Sequence, residues 1–322
     1  MGYCPVFSII TPSFNQGEFL AETIESVISQ EGDFGIDYLI ADGGSTDDSV
    51  EIIRRYDELL QRGAWPIRCK GIRLRWSSEQ DDGQADALSK GFRMAEGSLF
   101  AWLNSDDTYL PGTLQTVADY FRDHPDIGLI YGNASYRDAA GVTIGGYKTE
   151  EFDLERLAST NIICQPAAFF RRAAYEKAEG IDCSLRFVMD YDLWIRIARQ
   201  GGCSYIPEPL ATYRLHGASK TVNDTTLVDN SEEGLHVTMR HYGWAPFTRI
   251  YTDSHIRCRA GLPPLLAENR AVCTLLALSW SLCRSLRLNR GIDRRDMGLC
   301  NWNNVRKLFR TRLEIMTGRR EP

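Results

Sequence analysis

The chain lacks any CxxC pair, although it carries nine cysteines, at positions 4, 69, 164, 183, 203, 258, 273, 283 and 300. A structural zinc site needs closely spaced thiolates, so none is indicated. An odd, dispersed set fits reduced thiols and a cytoplasmic location rather than a disulfide framework. No basic segment followed by a long apolar run opens the sequence, so no secretory leader is expected. The stretch after the first apolar run, residues 11–17, holds one Gly and neither Lys nor Arg. That argues against the GxGxxG turn of a dehydrogenase and against the glycine-rich basic loop of a sugar nucleotidyltransferase. Four of the five histidines, His124, His236, His241 and His255, show no ligand spacing. Internal repeats and low-complexity tracts are also missing.

What is present is an ordinary globular composition, 43% apolar and 25% charged, over 322 residues. That length holds one large domain or two smaller ones. The net charge of −6 hides an asymmetry. Residues 240–322 carry 16 Lys and Arg against 6 Asp and Glu, while the rest carries 21 against 37. A basic C-terminal part beside an acidic body points to an anionic neighbour: a membrane surface, a lipid phosphate or the body itself. Nucleic acid is not expected as a partner.

Short apolar runs alternate with helical spacing over the first 130 or so residues. Val6 to Thr11, Tyr38 to Ala41, Ile72 to Trp76, Leu99 to Leu103 and Ile127 to Tyr131 read as strands. Glu18 to Gln30, Ser45 to Gln61, Gly83 to Ala95 and Pro111 to Phe121 read as helices, with Ser45 as cap and Asp48 three residues on. This alternation predicts an α/β fold with a mostly parallel, Rossmann-like sheet and helices on both faces. Tyr131 to Tyr147 reads as a hairpin, Ala167 to Phe170 as a strand, Asp192 to Arg199 as a helix opened by Asp190, and Cys203 to Ile206 and Ala211 to Leu215 as closing strands. Trp194, spaced with Leu193 and Ile197, reads as core. Thr221 to Glu233 reads as a linker, followed by helices. Ala271 to Leu286 is apolar on much of its surface and, at 16 residues, short for a membrane span. It either packs on the body or lies in a membrane interface.

Ligands in such sheets bind beyond the carboxyl ends of the strands. Three consecutive strand ends carry polar groups: Thr11 to Asn15, Asp42, and Asp106 with Asp107. Paired carboxylates there suit a divalent cation on a diphosphate. Asp106 could instead cap the helix near Pro111.

The blocks Ile10-Thr11-Pro12-Ser13-Phe14-Asn15-Gln16, Ile40-Ala41-Asp42-Gly43-Gly44-Ser45-Thr46-Asp47-Asp48-Ser49, Trp102-Leu103-Asn104-Ser105-Asp106-Asp107 and Met189-Asp190-Tyr191-Asp192-Leu193-Trp194 resemble, in order and spacing, those of the family 2 glycosyltransferases. The segments around Asp81 and around Tyr213-Arg214-Leu215-His216 extend the likeness, which covers about residues 5–220. The resemblance implies a GT-A fold and inverting transfer from a nucleotide-sugar to an acceptor hydroxyl, on a saccharide or lipid-linked saccharide in surface polysaccharide synthesis. With a likeness that ends near residue 220, the chain reads as a transferase domain, 1–220, and a linker with a mainly helical basic extension, 221–322, whose charge allows peripheral contact on the inner face of the cytoplasmic membrane. Carried over, Thr11, Pro12, Ser13, Asn15, Asp42, Asp81, Gln84 and Asp106 bind the donor nucleotide, and Asp42 accepts from a base N–H such as uracil's. Asp106 and Asp107, with His216, would hold Mn²⁺ or Mg²⁺; Arg214 would meet phosphate; Gln165 and Asp192 would lie on the acceptor side. Asp190 matches the catalytic base. Many relatives have Asp where this chain has Asn104, and an acidic neighbour where it has Met189. A non-catalytic sugar-nucleotide-binding module would not need Asp106, Asp107 and Asp190 together.

Overall fold

The computed structural model describes residues 4–147, 149–217, 224–267 and 269–290. It divides into two compact units: Met1–Asp153 with Ile162–Leu215, and Leu154–Asn161 with His216–Pro322.

The first unit is built on a nine-stranded sheet. Strands β1 (Val6–Ser13), β2 (Gly35–Asp42), β3 (Gly71–Ser78) and β4 (Leu99–Trp102) pair in parallel in the order 3-2-1-4. β1 and β4 are buried almost end to end, as expected of strands covered on both faces. Helices α1 (Gly17–Ile28), α2 (Ser49–Gln61) and α3 (Gln84–Met94) make the crossovers. On α1 the inward stripe is Phe19, Leu20, Thr23, Ile24, Val27 and Ile28, the i, i+4 pattern of a helix laid on a core.

After β4 the chain makes a short strand β5 (Thr108–Tyr109), then α4 (Thr113–Asp123), β6 (Leu129–Arg137) and β7 (Thr143–Tyr147). β6 and β7 form the expected hairpin. β8 (Ala168–Arg171) inserts antiparallel between β4 and β6, so β6 again runs with β1 to β4. It is followed by α6 (Arg172–Lys177), α5 (Leu154–Ser159) having come earlier, and then by α7 (Met189–Ala198). The two expected closing strands are one, β9 (Cys203–Arg214), parallel to β6. Its register shifts around Pro207 and Pro209, where Gly132 on β6 lets the bulged chain approach. A Cβ on Gly132 would sit 2.6 Å from Leu210 and 2.8 Å from the Glu208 carbonyl. Six of the nine strands thus share one direction, the mostly parallel sheet that the alternation predicts.

Two local expectations are corrected. α2 starts at Ser49, not at Ser45, and its N-cap Asp48 makes no side-chain cap bond. Ser45 is instead recruited by Asp42. The supposed linker is mostly helix, α8 (Asp224–Tyr242); its buried residues Leu235, Val237 and Thr238 come only after a polar first half. Residues 221–223 lie outside the described residues.

The second unit is helical: α5, α8, α9 (Phe247–Gly261), α10 (Pro264–Ala267) and α11 (Arg270–Leu288). Leu235, Ala245 and Ile250 form its small core, with Met239 and Leu288 against it. Asn289 closes it by donating to and accepting from the Ala245 backbone at 2.8 and 2.9 Å. α11 is longer than its apolar pattern suggests, because Asn269 caps it through the amides of Ala271 and Val272.

Candidate active site

Register alone brings the polar strand ends together: Ser13 pairs with Asp42, and Asp42 with Ser78. The Asp42 carboxylate, 2% exposed, organises this edge. One oxygen accepts from the amides of Gly44 (3.1 Å) and Ser45 (2.9 Å) and from the Ser78 hydroxyl (2.7 Å). The other accepts from the Ser45 hydroxyl at 2.5 Å and keeps acceptor capacity. Gly43 lets the Asp81 carboxylate approach closely, since a Cβ there would stand 2.9 Å from it. Asn15, at φ 50°, stitches the first loop to the second: its side-chain oxygen accepts from the Thr46 amide at 2.8 Å. The Gly17 amide likewise donates to Asp47 at 2.9 Å. Asp42, Trp76, Asp81 and Lys90 line a cleft of about 280 Å³ against β2, β3 and α3.

Thr11 and Pro12 do not line this edge. Both are buried, and the Thr11 hydroxyl bonds Tyr38 at 3.0 Å, so they support the wall from behind. The Ser13 hydroxyl, 4% exposed, has no hydrogen-bond partner among the described residues.

Beyond β4 the two adjacent carboxylates play different parts. Asp107 is buried; one oxygen accepts from the Arg214 amide at 2.9 Å and the other from the Asn104 side-chain amide at 3.3 Å. Burial, and after it the neighbouring Asp106 charge, push its carboxyl well above the usual range. Asp106 is half-buried and presents the accessible carboxylate of the pair. It does not cap α4, whose N-cap is Gly112 in a left-handed conformation. Arg214, expected at phosphate, is turned inward and 3% exposed. Its guanidinium bonds the Asp106 carbonyl (3.0 Å), the carbonyls of Asp138 and Ala139, and Glu22, and lies over the Phe19 ring. It is a clamp on the carboxylate turn. His216 falls in the helical unit, just past β9.

Asn104 is the centre of an amide chain. The Trp102 carbonyl accepts from the Gln165 Nε2 at 2.8 Å, so the Gln165 oxygen must accept. It does so from Asn104 Nδ2 at 3.0 Å, which leaves the Asn104 oxygen to accept from Gln84 Nε2 at 2.7 Å. Gln165 and Gln84 are thus held beside the carboxylate pair. A second carboxylate at position 104 would remove the donor to both Gln165 and Asp107. Asn104→Asp is expected to cost about 1–3 kcal/mol at neutral pH. The loss should shrink as pH falls, because protonating either carboxylate restores a donor. Thermal melts from pH 5 to 8 check this; a pH-independent loss would contradict it.

Asp190 is the second residue of α7, whose N-cap is Val188, so it is not the cap. It is half-buried. The charges of Asp107 and Asp190 both reach Cys164: burial pushes that thiol well up, and the two carboxylates add to it. Burial also raises Tyr147, with Asp190 among the contributing charges. Cys164 is thus a buried thiol that feels both carboxylates, a residue with no signal in the sequence. Asp192, expected on the acceptor side, is fully buried and paired with Arg196 at 2.7 Å. Trp194 is core, as its spacing predicts. It stacks on Trp102 with centroids 5.3 Å apart and planes 14° from parallel, coupling α7 to the strand that leads into the carboxylate turn.

Among the described residues no group of three or more His, Cys, Asp or Glu is arranged to hold a metal. A site with one accessible carboxylate fits a hard cation that takes its remaining oxygens from a bound diphosphate.

The sequence profile of Glycosyl transferase family 2 matches residues 8–178. A glycosyltransferase of PGL/p-HBAD biosynthesis from Mycobacterium tuberculosis is 32% identical over 194 residues, 60% of this chain and 69% of that protein. Among solved structures, S. aureus TarS 1-349 in complex with UDP-GlcNAc aligns with a TM-score of 0.54 at 13% identity, covering 89% of this chain and 93% of that one. The mannosyltransferase PcManGT of Pyrobaculum calidifontis, in complex with GDP-Man and Mn²⁺, aligns with a TM-score of 0.55 at 17% identity, covering 98% and 84%.

Proposed function

Since this chain belongs to glycosyl transferase family 2 and is a glycosyltransferase, we propose that it moves a sugar from a nucleotide-diphospho-sugar to an acceptor hydroxyl with inversion. The observation that carries this reading is that Asp107, next to Asp106 in the chain, and Asp190 both act electrostatically on the one buried thiol of Cys164. In a single displacement the acceptor oxygen forms its bond to the anomeric carbon as the bond to the diphosphate breaks. The acceptor proton passes to the Asp190 carboxylate. No second nucleophile is needed.

The base of the donor, most simply uracil, places a ring N–H against the remaining acceptor site of Asp42, near Asp81. Ser13 offers its hydroxyl at the same edge. Asp106 would hold Mn²⁺ or Mg²⁺, which when bound offsets charge on the diphosphate as a Lewis acid. Asp107 braces the turn rather than meeting the cation. Gln84 and Gln165, fixed through Asn104, orient groups beside the sugar, with Gln165 toward the acceptor. The acceptor is a saccharide or lipid-linked saccharide of a surface glycan. Relatives named for PGL/p-HBAD biosynthesis and structural neighbours that hold UDP-GlcNAc or GDP-Man with Mn²⁺ support this class of donor and product.

Calorimetry with UDP- and GDP-sugars, with and without Mn²⁺, tests the reading. Asp106→Asn is expected to abolish the Mn²⁺-dependent part of donor affinity with little change in melting temperature. Asp107→Ala is expected to lower the melting temperature, by loss of about 1–3 kcal/mol, because the Arg214 amide loses its acceptor. The reverse pattern would exchange the two roles; failure of every nucleotide-sugar to bind would overturn the donor class.

A further inference from the structure

Helix α11 is built inside out for a helix that faces water. Its buried stripe is small: Cys273, Ala277, Ser281 and Ser285, one every fourth residue. Its outward arc is large and apolar. Leu275 is 65% exposed, Leu282 52% and Leu286 54%, with Leu276, Leu278 and Trp280 on the flanks. These six are half of the exposed large apolar side chains among the described residues. Ala271–Leu288 has a mean hydropathy of 1.3, yet only 22% of it is buried. A contiguous apolar face of this kind marks an interaction surface.

Charge says what covers it. α11 has no acidic residue; beside Arg284, which is paired inward with Asp253, its sequence holds Arg270 and Arg287. Arg290 follows it, and residues 291–322 add eight basic against four acidic side chains. Two copies of this face would bring like charge onto like charge. An anionic lipid surface meets both the leucines and the arginines.

The inner stripe fixes the pose. Arg284 bonds Asp253 of α9, which is fully buried, and the Ser254 hydroxyl at 3.1 Å, while Arg257 takes the same Asp253 at 3.1 Å. Crossing the bilayer would carry this charged cluster into hydrocarbon. We infer that α11 lies in the plane of an anionic membrane surface, with its leucine face in the acyl boundary and the α9 cluster on the water side. The docking is independent of the transfer chemistry.

The test is flotation of the full-length protein with phosphatidylcholine vesicles, with and without phosphatidylglycerol. Binding is expected to the anionic vesicles and to weaken with added salt. Leu275→Glu with Leu282→Glu, both at exposed positions, is expected to lower the bound fraction at least about tenfold with an unchanged circular dichroism spectrum. In the unsubstituted protein, lipids brominated in the acyl chain should quench a fluorescence component that Trp280→Phe lacks. Failure to bind anionic vesicles, binding untouched by the double substitution, unquenched Trp280, or a dimer that the same substitution dissociates would each overturn the inference.

Discussion

Replacing Asp190 with Asn is expected to lower kcat by about a thousandfold, within the range for removal of a positioned general base. The substitution keeps the shape of the side chain and leaves Asp42, Asp81 and Asp106 untouched. Donor affinity should therefore stay close to that of the unsubstituted enzyme. Steady-state kinetics beside donor calorimetry make the check. A variant with near-full turnover removes Asp190 from the proton transfer. A variant that no longer binds donor would show that the residue shapes the pocket instead.

The second large effect is on stability. Trp194 is fully buried and stacked on Trp102. Trp194→Ala should cost about 3–5 kcal/mol through lost burial and the cavity left behind. The Trp194 indole N–H has no hydrogen-bond partner among the described residues, so Trp194→Phe gives up no polar contact there and should cost much less. Denaturant unfolding measures both. Because the stack joins α7 to the end of β4, residual transfer by Trp194→Ala should fall further than its folded fraction explains. Equal costs for Ala and Phe would mean that the stack holds nothing together.

The sheet was legible because its strands hold short apolar runs, although β1 continues through Pro12, where the sequence suggests a stop, to pair Ser13 with Asp42. β8 was legible too, but its place between β4 and β6 is a matter of tertiary pairing that no local pattern carries. α8 was misread because its first half, with Leu227 and Val228 set among eight polar residues, shows no apolar stripe. In the candidate site, register places Ser13, Asp42 and Ser78 at one sheet edge, as the strand ends suggest. The failures share one cause. Thr11, Asp192 and Arg214 are polar residues that satisfy partners inside the protein, and a polar residue in a motif looks the same whether it faces a ligand or a buried neighbour. Asn104 shows the converse. Standing where many relatives have Asp, it joins Gln84, Gln165 and Asp107 in one chain of side-chain hydrogen bonds.

The antiparallel placement of β8 also sets the order in which the molecule can be completed. β4 pairs with β1 as soon as both exist, but its other edge waits for Phe170 and Arg171. The same short strand is the only direct bridge from β4 to β6 in the described sheet. A nascent chain released before β8 has emerged would carry β4 and β6 as two open edges, each able to pair with a stranger. The half that holds the Asn15 and Asp42 loops can therefore form early, while the half that carries Asp190 can join it only once β8 closes the gap. Assembly of the two carboxylate segments is thereby a late step, governed by sequence separation rather than by local preference.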